Sequence, residues 1–227
     1  MIAIKSKYHL EEYITAIKSW RIKELYSLKL MANSSTGLNQ DILIRSGIVI
    51  LYAHWEGFIK EALHALFSYL NSIKIKYSEL NNNFIILGIY NEFKDHNDFK
   101  NFNSLYSIRD YLITNCGEKQ CNIDFKKHIS TNSNLNSAVL LDLLKKSGMK
   151  AEKYLVNIQY IDNQLLKYRN MIAHGEKTHG LRKNNEVKAL DLKWYNELYE
   201  KITDLMDIFE EELLEFIDKD SFKKTQQ

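Results

Sequence analysis

The sequence contains no proline and only eight glycines among its 227 residues. Proline and glycine interrupt helices and supply most tight turns, so their scarcity argues against β architectures, which need many such turns. An excess of charge of one sign is also missing, because 31 basic residues against 29 acidic ones leave a net charge of +2. The net charge therefore does not indicate nucleic-acid binding by the chain as a whole, and any basic patch must be local.

Long apolar segments are scarce as well. The first residues, MIAIKSKYHLEEYI, lack the uninterrupted apolar core of a signal peptide. No stretch of the sequence approaches the roughly 20 apolar residues of a membrane span. These absences predict a cytoplasmic protein that does not bind membranes.

Metal ligands at a recognised spacing are lacking too. Cys116 and Cys121 form a C-x4-C pair, and the nearby His128 makes a zinc site conceivable. No fourth ligand follows at a recognised spacing, so free thiols in a reducing compartment are the better interpretation. The sequence predicts no metal and no cofactor.

What the sequence does contain is apolar residues at helical spacing. Three stretches show this pattern over most of their length: about Lys5 to Met31, Asp41 to about Ile73, and about Leu192 to Asp218. The segment NSSTGLNQD, between the first two, predicts a loop in which Asn39 or Asp41 caps the second helix. Helices of this length predict an all-α bundle with long antiparallel helices.

The middle of the chain is less regular. Residues 78–137 are rich in Asn, Lys and Phe, and they predict an irregular insertion or shorter helices, near Phe84–Phe93 and Ser104–Asn115. The length of the chain predicts a single domain at residues 1–218 and a flexible tail at 219–227. The expected fold is therefore a helical bundle with an elaborated middle segment.

Two shorter helices follow this middle segment. Asn136 or Ser137 is predicted to cap the helix AVLLDLLKKSG, which ends at Gly148. A further helix runs from about Ile158 to His174 and ends at Gly175. Its predicted buried residues recur at intervals of three and four: Ile158, Ile161, Leu165, Tyr168 and Ile172.

The polar residues of that last helix are the candidate site. On a wheel of 100° per residue, Asn170 and His174 lie opposite the buried stripe and Arg169 lies on its flank. Histidine can move a proton near neutral pH, and arginine can bind a phosphate through two hydrogen bonds. Asn170 could bind the phosphate or fix the tautomer of His174. All three side chains are expected to converge on one pocket.

A purely structural interpretation stands beside this one. An arginine and a histidine near a helix end often compensate the helix dipole, and the pattern alone favours that role. The residues around the site are locally basic, however, and five of them are predicted to contact the substrate: Lys167, Glu176, Lys177, Arg182 and Lys183. A solvated loop is the alternative for the last three.

Two motifs resemble a known superfamily. The string Arg169-Asn-Met-Ile-Ala-His174-Gly-Glu resembles the R-x4-H motif of the HEPN superfamily, including the polar residue after the arginine and the IAHGE continuation. Upstream, Leu51-Tyr-Ala-His-Trp-Glu-Gly-Phe-Ile-Lys60 resembles the hWEGF segment of the MAE-type HEPN-like family, also described as RiboL-PSP-HEPN. The motifs occur in the order of that family, and the resemblance covers about residues 5 to 217.

The resemblance implies a fold and a function. It implies a HEPN-type bundle that dimerises so that two R-x4-H motifs face each other across a shared cleft. It also implies metal-independent RNA cleavage in a toxin–antitoxin or antiphage setting, with Arg169 and His174 catalytic and Asn170 supporting. An antitoxin or defence-system protein would be the partner. A catalytically inactive domain that binds RNA or a protein is the alternative.

Two acidic residues qualify this resemblance. Glu56 is carried over only as a family-like residue, either paired with Arg169 or part of a structural ion pair. Glu176 stands where one branch of toxins has a tyrosine, so antitoxin control through modification of that tyrosine is not expected.

Overall fold

Long helices form the frame of the fold. The structure is a computed structural model, and it describes residues 4–93, 106, 109, 117–176, 182–183, 186–187 and 190–224. Its helices are α1 (Lys7–Ser34), α2 (Gly37–Ser72), α3 (Asn82–Phe93), α4 (Phe125–His128), α5 (Ser137–Ser147), α6 (Glu152–Leu155), α7 (Ile158–Tyr160), α8 (Lys167–Ala173) and α9 (Leu192–Asp218). A π-helical segment, Ile161–Leu166, joins α7 to α8. The predicted all-α fold is confirmed.

Three minor elements complete the described backbone. A 3₁₀ turn occupies Tyr77–Glu79. The two-residue strands β1 (Arg182–Lys183) and β2 (Glu186–Val187) pair antiparallel, with Arg182 opposite Val187. This short pairing lies between α8 and α9 and does not change the fold class.

α2 is the central helix of the bundle, and α1 and α9 both pack along it. Trp55 and Phe58 of α2 are fully buried. The ring of Phe58 meets that of Phe209 in α9 at a centroid distance of 5.7 Å, in an edge-to-face arrangement. Burying side chains of this size stabilises the bundle by about 1.5–3 kcal/mol each.

The turn between α1 and α2 is shorter than predicted. Only two residues separate the helices, and Thr36 rather than Asn39 or Asp41 is the N-cap, so the predicted loop and both predicted caps are wrong. The amide of Gln40 donates to the carbonyl of Ala32 at 3.2 Å, at the end of α1. The same amide donates to the carbonyl of Ser35 at 2.7 Å. These two bonds attach Gln40 to the end of α1 and allow α2 to begin about one turn earlier.

The length of α2 bears on membrane binding. Its 36 residues include an 18-residue window with a mean hydropathy of 1.3, which is long and apolar enough to cross a membrane. Half of that window is buried inside the bundle, as in the core helix of a water-soluble protein. The helix is therefore weak evidence and does not establish membrane association.

The middle segment contains short helices, as predicted. α3 begins two residues before the predicted helix Phe84–Phe93 and ends with it. The predicted helix Ser104–Asn115 lies outside the described residues except at Tyr106 and Arg109. Cys116 also lies outside them, while Cys121 is buried, and burial raises the pKa of its thiol to about 12.

α5 has the predicted caps at both ends. The side chain of Asn136 accepts a hydrogen bond from the backbone N–H of Val139 at 2.8 Å. Gly148 follows the last turn with a φ of 73°, a conformation that favours a residue without a Cβ. The polar run before this helix therefore provides its N-cap.

The chain after α9 is packed rather than flexible. Phe222 is 1% exposed, and its carbonyl accepts a hydrogen bond from the backbone N–H of Asn81 at 2.9 Å. Leu80 and Lys223 form an isolated antiparallel bridge. The predicted flexible tail is thus wrong as far as Lys224, because burial of Phe222 holds the chain end against the bundle.

The segment 125–135, here called the covering segment, lies along one face of α2. Three hydrogen bonds fix it there: between the Ile129 carbonyl and His64 Nε2 at 3.0 Å, from the Thr131 hydroxyl to Glu56, and from the Leu135 N–H to the Tyr52 hydroxyl at 2.7 Å. The ring of Phe125 also packs on His64 at 5.2 Å between centroids. The covering segment thus connects the middle of the chain to the central helix.

His64 makes this attachment sensitive to pH. Burial lowers the pKa of His64 below its usual value, and Lys60 and Lys126 lower it further, while the hydrogen bond to Ile129 and the charge of Glu61 raise it. Between the lowered pKa and the ordinary value of about 6.5, the unfolded chain binds more protons than the native state. We expect the free energy of unfolding to fall as the pH decreases below about 6.5.

Urea unfolding at several pH values measures this dependence. His64→Gln should reduce the loss of stability on acidification, because glutamine does not titrate. His9→Gln is the matched control, since His9 is exposed on α1, and it should retain the full loss. An equal loss in His64→Gln and the unmutated protein would contradict the prediction.

Candidate functional site

The helix with the candidate residues is not a uniform α-helix. In the π-helical segment, the backbone N–H of Lys167 donates to the carbonyl of Asp162, five residues earlier. Such a wide turn shifts the angular position of every later residue relative to a regular helix, and π segments are frequent at functional sites. A wheel of 100° per residue therefore cannot place Arg169 relative to Ile158.

The predicted buried stripe of this helix is only partly correct. Ile161, Leu165 and Tyr168 are buried, whereas Ile158 and Ile172, at its two ends, are half-buried. The ring of Tyr168 packs on Trp194 of α9 at a centroid distance of 4.7 Å. This contact fixes α8 against the bundle next to the candidate residues.

His174 directly follows the last residue of α8 and is its C-cap. The N–H groups of Gly175 and Glu176 donate to the carbonyls of Ile172 and Met171, each at 3.0 Å. With Gly175 at a φ of 74°, this is the Schellman arrangement, in which glycine avoids the strain of a Cβ. The helix therefore stops immediately after the histidine.

The side chain of His174 is exposed to solvent. Within the described part of the chain, no hydrogen bond or ion pair holds its imidazole. The imidazole ring is thus accessible to a substrate from solvent.

Arg169 is fixed by three contacts. Its Nη1 donates to Asn170 Oδ1 at 2.8 Å, and its Nη2 donates to the carbonyl of Ser133 at 2.7 Å. Its guanidinium carbon lies 3.9 Å from the centre of the Tyr52 ring, as in a cation–π contact. Because a guanidinium has five N–H groups, donors remain for an incoming phosphate.

Tyr52 links Arg169 to the covering segment. Its hydroxyl accepts the backbone N–H of Leu135, and its phenol interacts with the carboxylate of Glu56. Burial raises the pKa of Tyr52 to about 12, and the charge of Glu56 raises it while that of Arg169 lowers it. The phenol therefore stays protonated and neutral beneath the guanidinium.

Glu56 does not pair with Arg169 in the described structure. Its carboxylate accepts a hydrogen bond from Thr131 and interacts with Tyr52, while Arg169 lies over the Tyr52 ring. The suggested Glu56–Arg169 ion pair is therefore not formed among the described residues, because each of the two groups has other partners. Glu56 instead anchors the covering segment.

The sequence did not single out Tyr52 or Ser133 as site residues. Tyr52 looked like one more apolar position of α2, although a tyrosine four residues before Glu56 shares a helix face with it. Ser133 contributes only its carbonyl, for which the sequence gives no signal. Its positive φ of 56°, next to 48° at Asn132, shapes the turn that brings this carbonyl to Arg169.

Asn170 and His174 lie one turn apart, but only Asn170 contacts Arg169. Residues five apart on a helix differ by roughly 140° around the axis and about 7.5 Å along it, so Arg169 and His174 point to different sides of α8. Arg169 and Asn170 are brought together as predicted. Convergence of all three side chains in a single pocket of one chain is not observed.

The predicted substrate contacts are only partly described. Lys167 is exposed, and Glu176 is exposed while its carbonyl accepts two hydrogen bonds from Arg45, each at 3.1 Å. Lys177 lies outside the described residues, and Arg182 and Lys183 are described only by their backbone in β1. Glu176 therefore serves, through its backbone, to fix the end of α8 to α2.

An apolar groove lies between α2 and the end of α8. Its volume is about 340 Å³, and its lining comes from these two helices: Ile42, Arg45, Ser46, Val49, Ile50 and Ile172. Leu38 and Ile42, at the start of α2, are 74% and 51% exposed. The groove therefore reaches the helix that contains the R-x4-H sequence, two residues before His174 in the chain.

An all-α bundle with an R-x4-H sequence at the end of a helix is the arrangement of a HEPN-type domain. The family model for RiboL-PSP-HEPN matches residues 17–215, and the chain belongs to that family. Neither the curated proteins nor the solved structures gave a match. Domains of the HEPN type are commonly ribonucleases or RNA-binding modules, and they commonly dimerise.

Proposed function

We propose that this protein is a metal-independent endoribonuclease. The observation that supports it best is an exposed imidazole at the end of α8, the same helix that contains an arginine whose guanidinium is fixed by Tyr52, Asn170 and Ser133. A fixed cation with free donors suits a phosphate, and an accessible imidazole suits proton transfer. The family membership points to RNA as the phosphodiester.

The reaction needs a base, an acid and a cation. His174 takes the proton of the ribose 2′-OH, whose oxygen attacks the phosphorus. Arg169 stabilises the charge of the phosphorane, and the bond from phosphorus to the 5′-oxygen then breaks as that oxygen receives a proton from imidazolium. The products are a 2′,3′-cyclic phosphate and a 5′-OH end.

A second copy of the chain would complete the site. Arg169 and His174 point to different sides of α8, so one chain presents a base and a cation that do not meet. A two-fold axis beside α8 would bring two exposed His174 side chains and two Arg169 side chains to one cleft. One histidine could then act as base and the other as acid.

The apolar groove is the face on which we expect this second copy to pack. Leu38, Ile42 and Ser46 are exposed and Val49 is half-buried, and these four residues recur at three and four along α2, so they form one stripe. Exposed stripes of this kind are typical of protein interfaces. His174 would lie at the edge of such an interface.

Ile42→Glu should separate the two copies. A carboxylate in the middle of an apolar interface loses its hydration, so we expect dimer affinity and RNA cleavage to fall on the order of tenfold or more. Sedimentation velocity and a cleavage assay measure the two effects. Val156→Glu, at a residue that is 76% exposed on another part of the surface, should leave both unchanged. A monomeric protein with full activity would contradict the composite site.

The function itself is tested by sequencing RNA ends after induced expression. The unmutated protein should produce new 5′-OH ends, and His174→Ala should produce none. Tight RNA binding without new ends would instead favour the inactive, RNA-binding alternative. The proposed toxin–antitoxin or antiphage setting rests on family membership alone, and an antitoxin or ATPase gene beside this one would support it.

A further inference from the structure

The covering segment continues the site along α2 as a basic strip with an exposed aromatic ring. Lys126 and Lys127, in α4, are both exposed, as is Lys60 on α2. Lys60 and Lys126 lie close enough to His64 for their charges to act on it. Nζ of Lys127 lies 5.8 Å from the ring centre of Tyr90 in α3. These four residues, Lys60, Tyr90, Lys126 and Lys127, are here called the basic strip.

The charges of the basic strip are not neutralised by ion pairs. Among the described residues, no carboxylate lies within ion-pair distance of Lys60, Lys126 or Lys127. Of the acids nearby, Glu61 is bound to Arg21 at 2.6 Å, and Asp124 is exposed at the N-cap of α4. The strip therefore keeps an excess of positive charge toward solvent.

Tyr90 presents an aromatic face beside these lysines. Its side chain is 48% exposed, and its ring contacts His128, edge to face, at 5.1 Å between centroids. An exposed ring that a neighbour holds in place loses little freedom when a base stacks on it. Alternating lysines and a fixed aromatic ring are the typical surface for single-stranded nucleic acid.

The basic strip is continuous with the candidate site. The covering segment contacts α2 at His64, Glu56 and Tyr52 in turn, and its Ser133 carbonyl contacts Arg169. The twelve residues from Tyr52 to His64 span about 18 Å of helix, a distance that several nucleotides cover. A strand cleaved at Arg169 can therefore reach the basic strip by following the covering segment along α2.

Resting on the proposed ribonuclease function, we propose that the basic strip binds the single-stranded RNA that extends from the cleavage site. The lysines contact successive phosphates, and Tyr90 stacks on a base. Because these contacts do not read base edges, the strip adds affinity for longer substrates rather than for a particular sequence. Substrates too short to reach it gain nothing from it.

Charge reversal of Lys126 and Lys127 tests this proposal. In a His174→Ala background, which prevents cleavage, K126E/K127E should weaken binding of a labelled single-stranded RNA of about 15 nucleotides on the order of tenfold. The slope of log Kd against log salt should decrease by about 1.4, which corresponds to two lost phosphate contacts. In the active background, cleavage of a dinucleotide should be unchanged.

The matched control is K5E/K23E, which makes the same change in net charge. Both lysines are exposed, and Lys23 lies on α1, which packs on the face of α2 that contains His54 and Gly57. Neither lysine belongs to the basic strip or to the covering segment, so the control should retain full affinity. Equal losses in the control and in K126E/K127E would mean a nonspecific charge effect and overturn the strip.

Substitutions of Tyr90 provide an independent test of the basic strip. Tyr90→Ala should weaken binding of the same RNA on the order of tenfold, and Tyr90→Phe should retain it, because phenylalanine keeps the stacking face. Unchanged binding in both K126E/K127E and Tyr90→Ala overturns the strip but leaves the ribonuclease proposal intact. Loss of RNA binding in these variants, with no cleavage by the unmutated protein, supports the strip and overturns the ribonuclease.

Discussion

His174→Ala should abolish RNA cleavage in the presence of EDTA while the helical circular dichroism spectrum stays unchanged. Removing a general acid–base group costs about 10²–10⁴ in rate. The imidazole is exposed and unbonded among the described residues, and its backbone N–H still donates to the carbonyl of Asn170. The folded structure therefore loses little when the side chain is removed.

The control for this result is another exposed histidine. His9 is exposed on α1, far along the sequence from the R-x4-H segment, and His9→Ala should cleave RNA at the rate of the unmutated protein. Cleavage that survives His174→Ala, or that requires added metal, contradicts the mechanism.

Arg169→Lys should reduce kcat by about 10²–10³ with little change in KM, because the lost donors act on charge that develops in the transition state. Lysine retains the charge but not the planar fork that contacts Asn170, Ser133 and a phosphate together. The variant should unfold at nearly the same urea concentration, because the half-buried guanidinium lies at the edge of the bundle. Single-turnover rates and urea unfolding measure the two quantities.

Two substitutions of Tyr52 distinguish its role in positioning Arg169 from its role in stabilising the fold. Tyr52→Phe keeps the ring beneath Arg169 but leaves the backbone N–H of Leu135 without its acceptor, which costs about 1–3 kcal/mol of stability. Tyr52→Leu removes the ring face as well. We expect kcat to fall in Tyr52→Leu and to be largely retained in Tyr52→Phe. Equal rates in the two variants would mean that Tyr52 supports only the fold and does not position Arg169.

Asn170 has a matched control within the same helical stretch. Asn170→Ala removes an acceptor of Arg169, whereas Asn163→Ala changes an exposed asparagine seven residues earlier. Reduced kcat in Asn170→Ala alone would place the asparagine as a positioning residue. Equal effects would instead point to a general disturbance of the helix.

Helical periodicity predicted the elements whose stability comes from a buried face. α9 has the predicted bounds Leu192–Asp218, and the Asn136 and Gly148 caps of α5 are where the sequence places them. Where a contact between distant residues determined the structure, the prediction was wrong. Gln40 bonds to the end of α1 and moves the start of α2, and Phe222 packs on the bundle and holds the chain end.

In the candidate site, too, the local features were predicted from the sequence and the contacts between distant residues were not. The R-x4-H segment, its polar second residue and its glycine stop are all visible in the sequence, because they follow from local spacing and helix-end chemistry. The contact partners of Arg169 are not visible, because Tyr52 and Ser133 lie 117 and 36 residues away in the chain and contribute an aromatic face and a backbone carbonyl. Neither group has a motif.

The sequence by itself thus determined the helical class of the fold and its long helices. It also determined that Arg169, Asn170 and His174 are the candidate site residues. Only the tertiary structure decided how these three groups are arranged. The π-helical segment rotates α8 relative to a regular helix. The covering segment then holds Arg169 on Tyr52, while His174 is exposed to solvent. Local spacing sets which residues share a helix, but long-range packing sets the direction in which each side chain points.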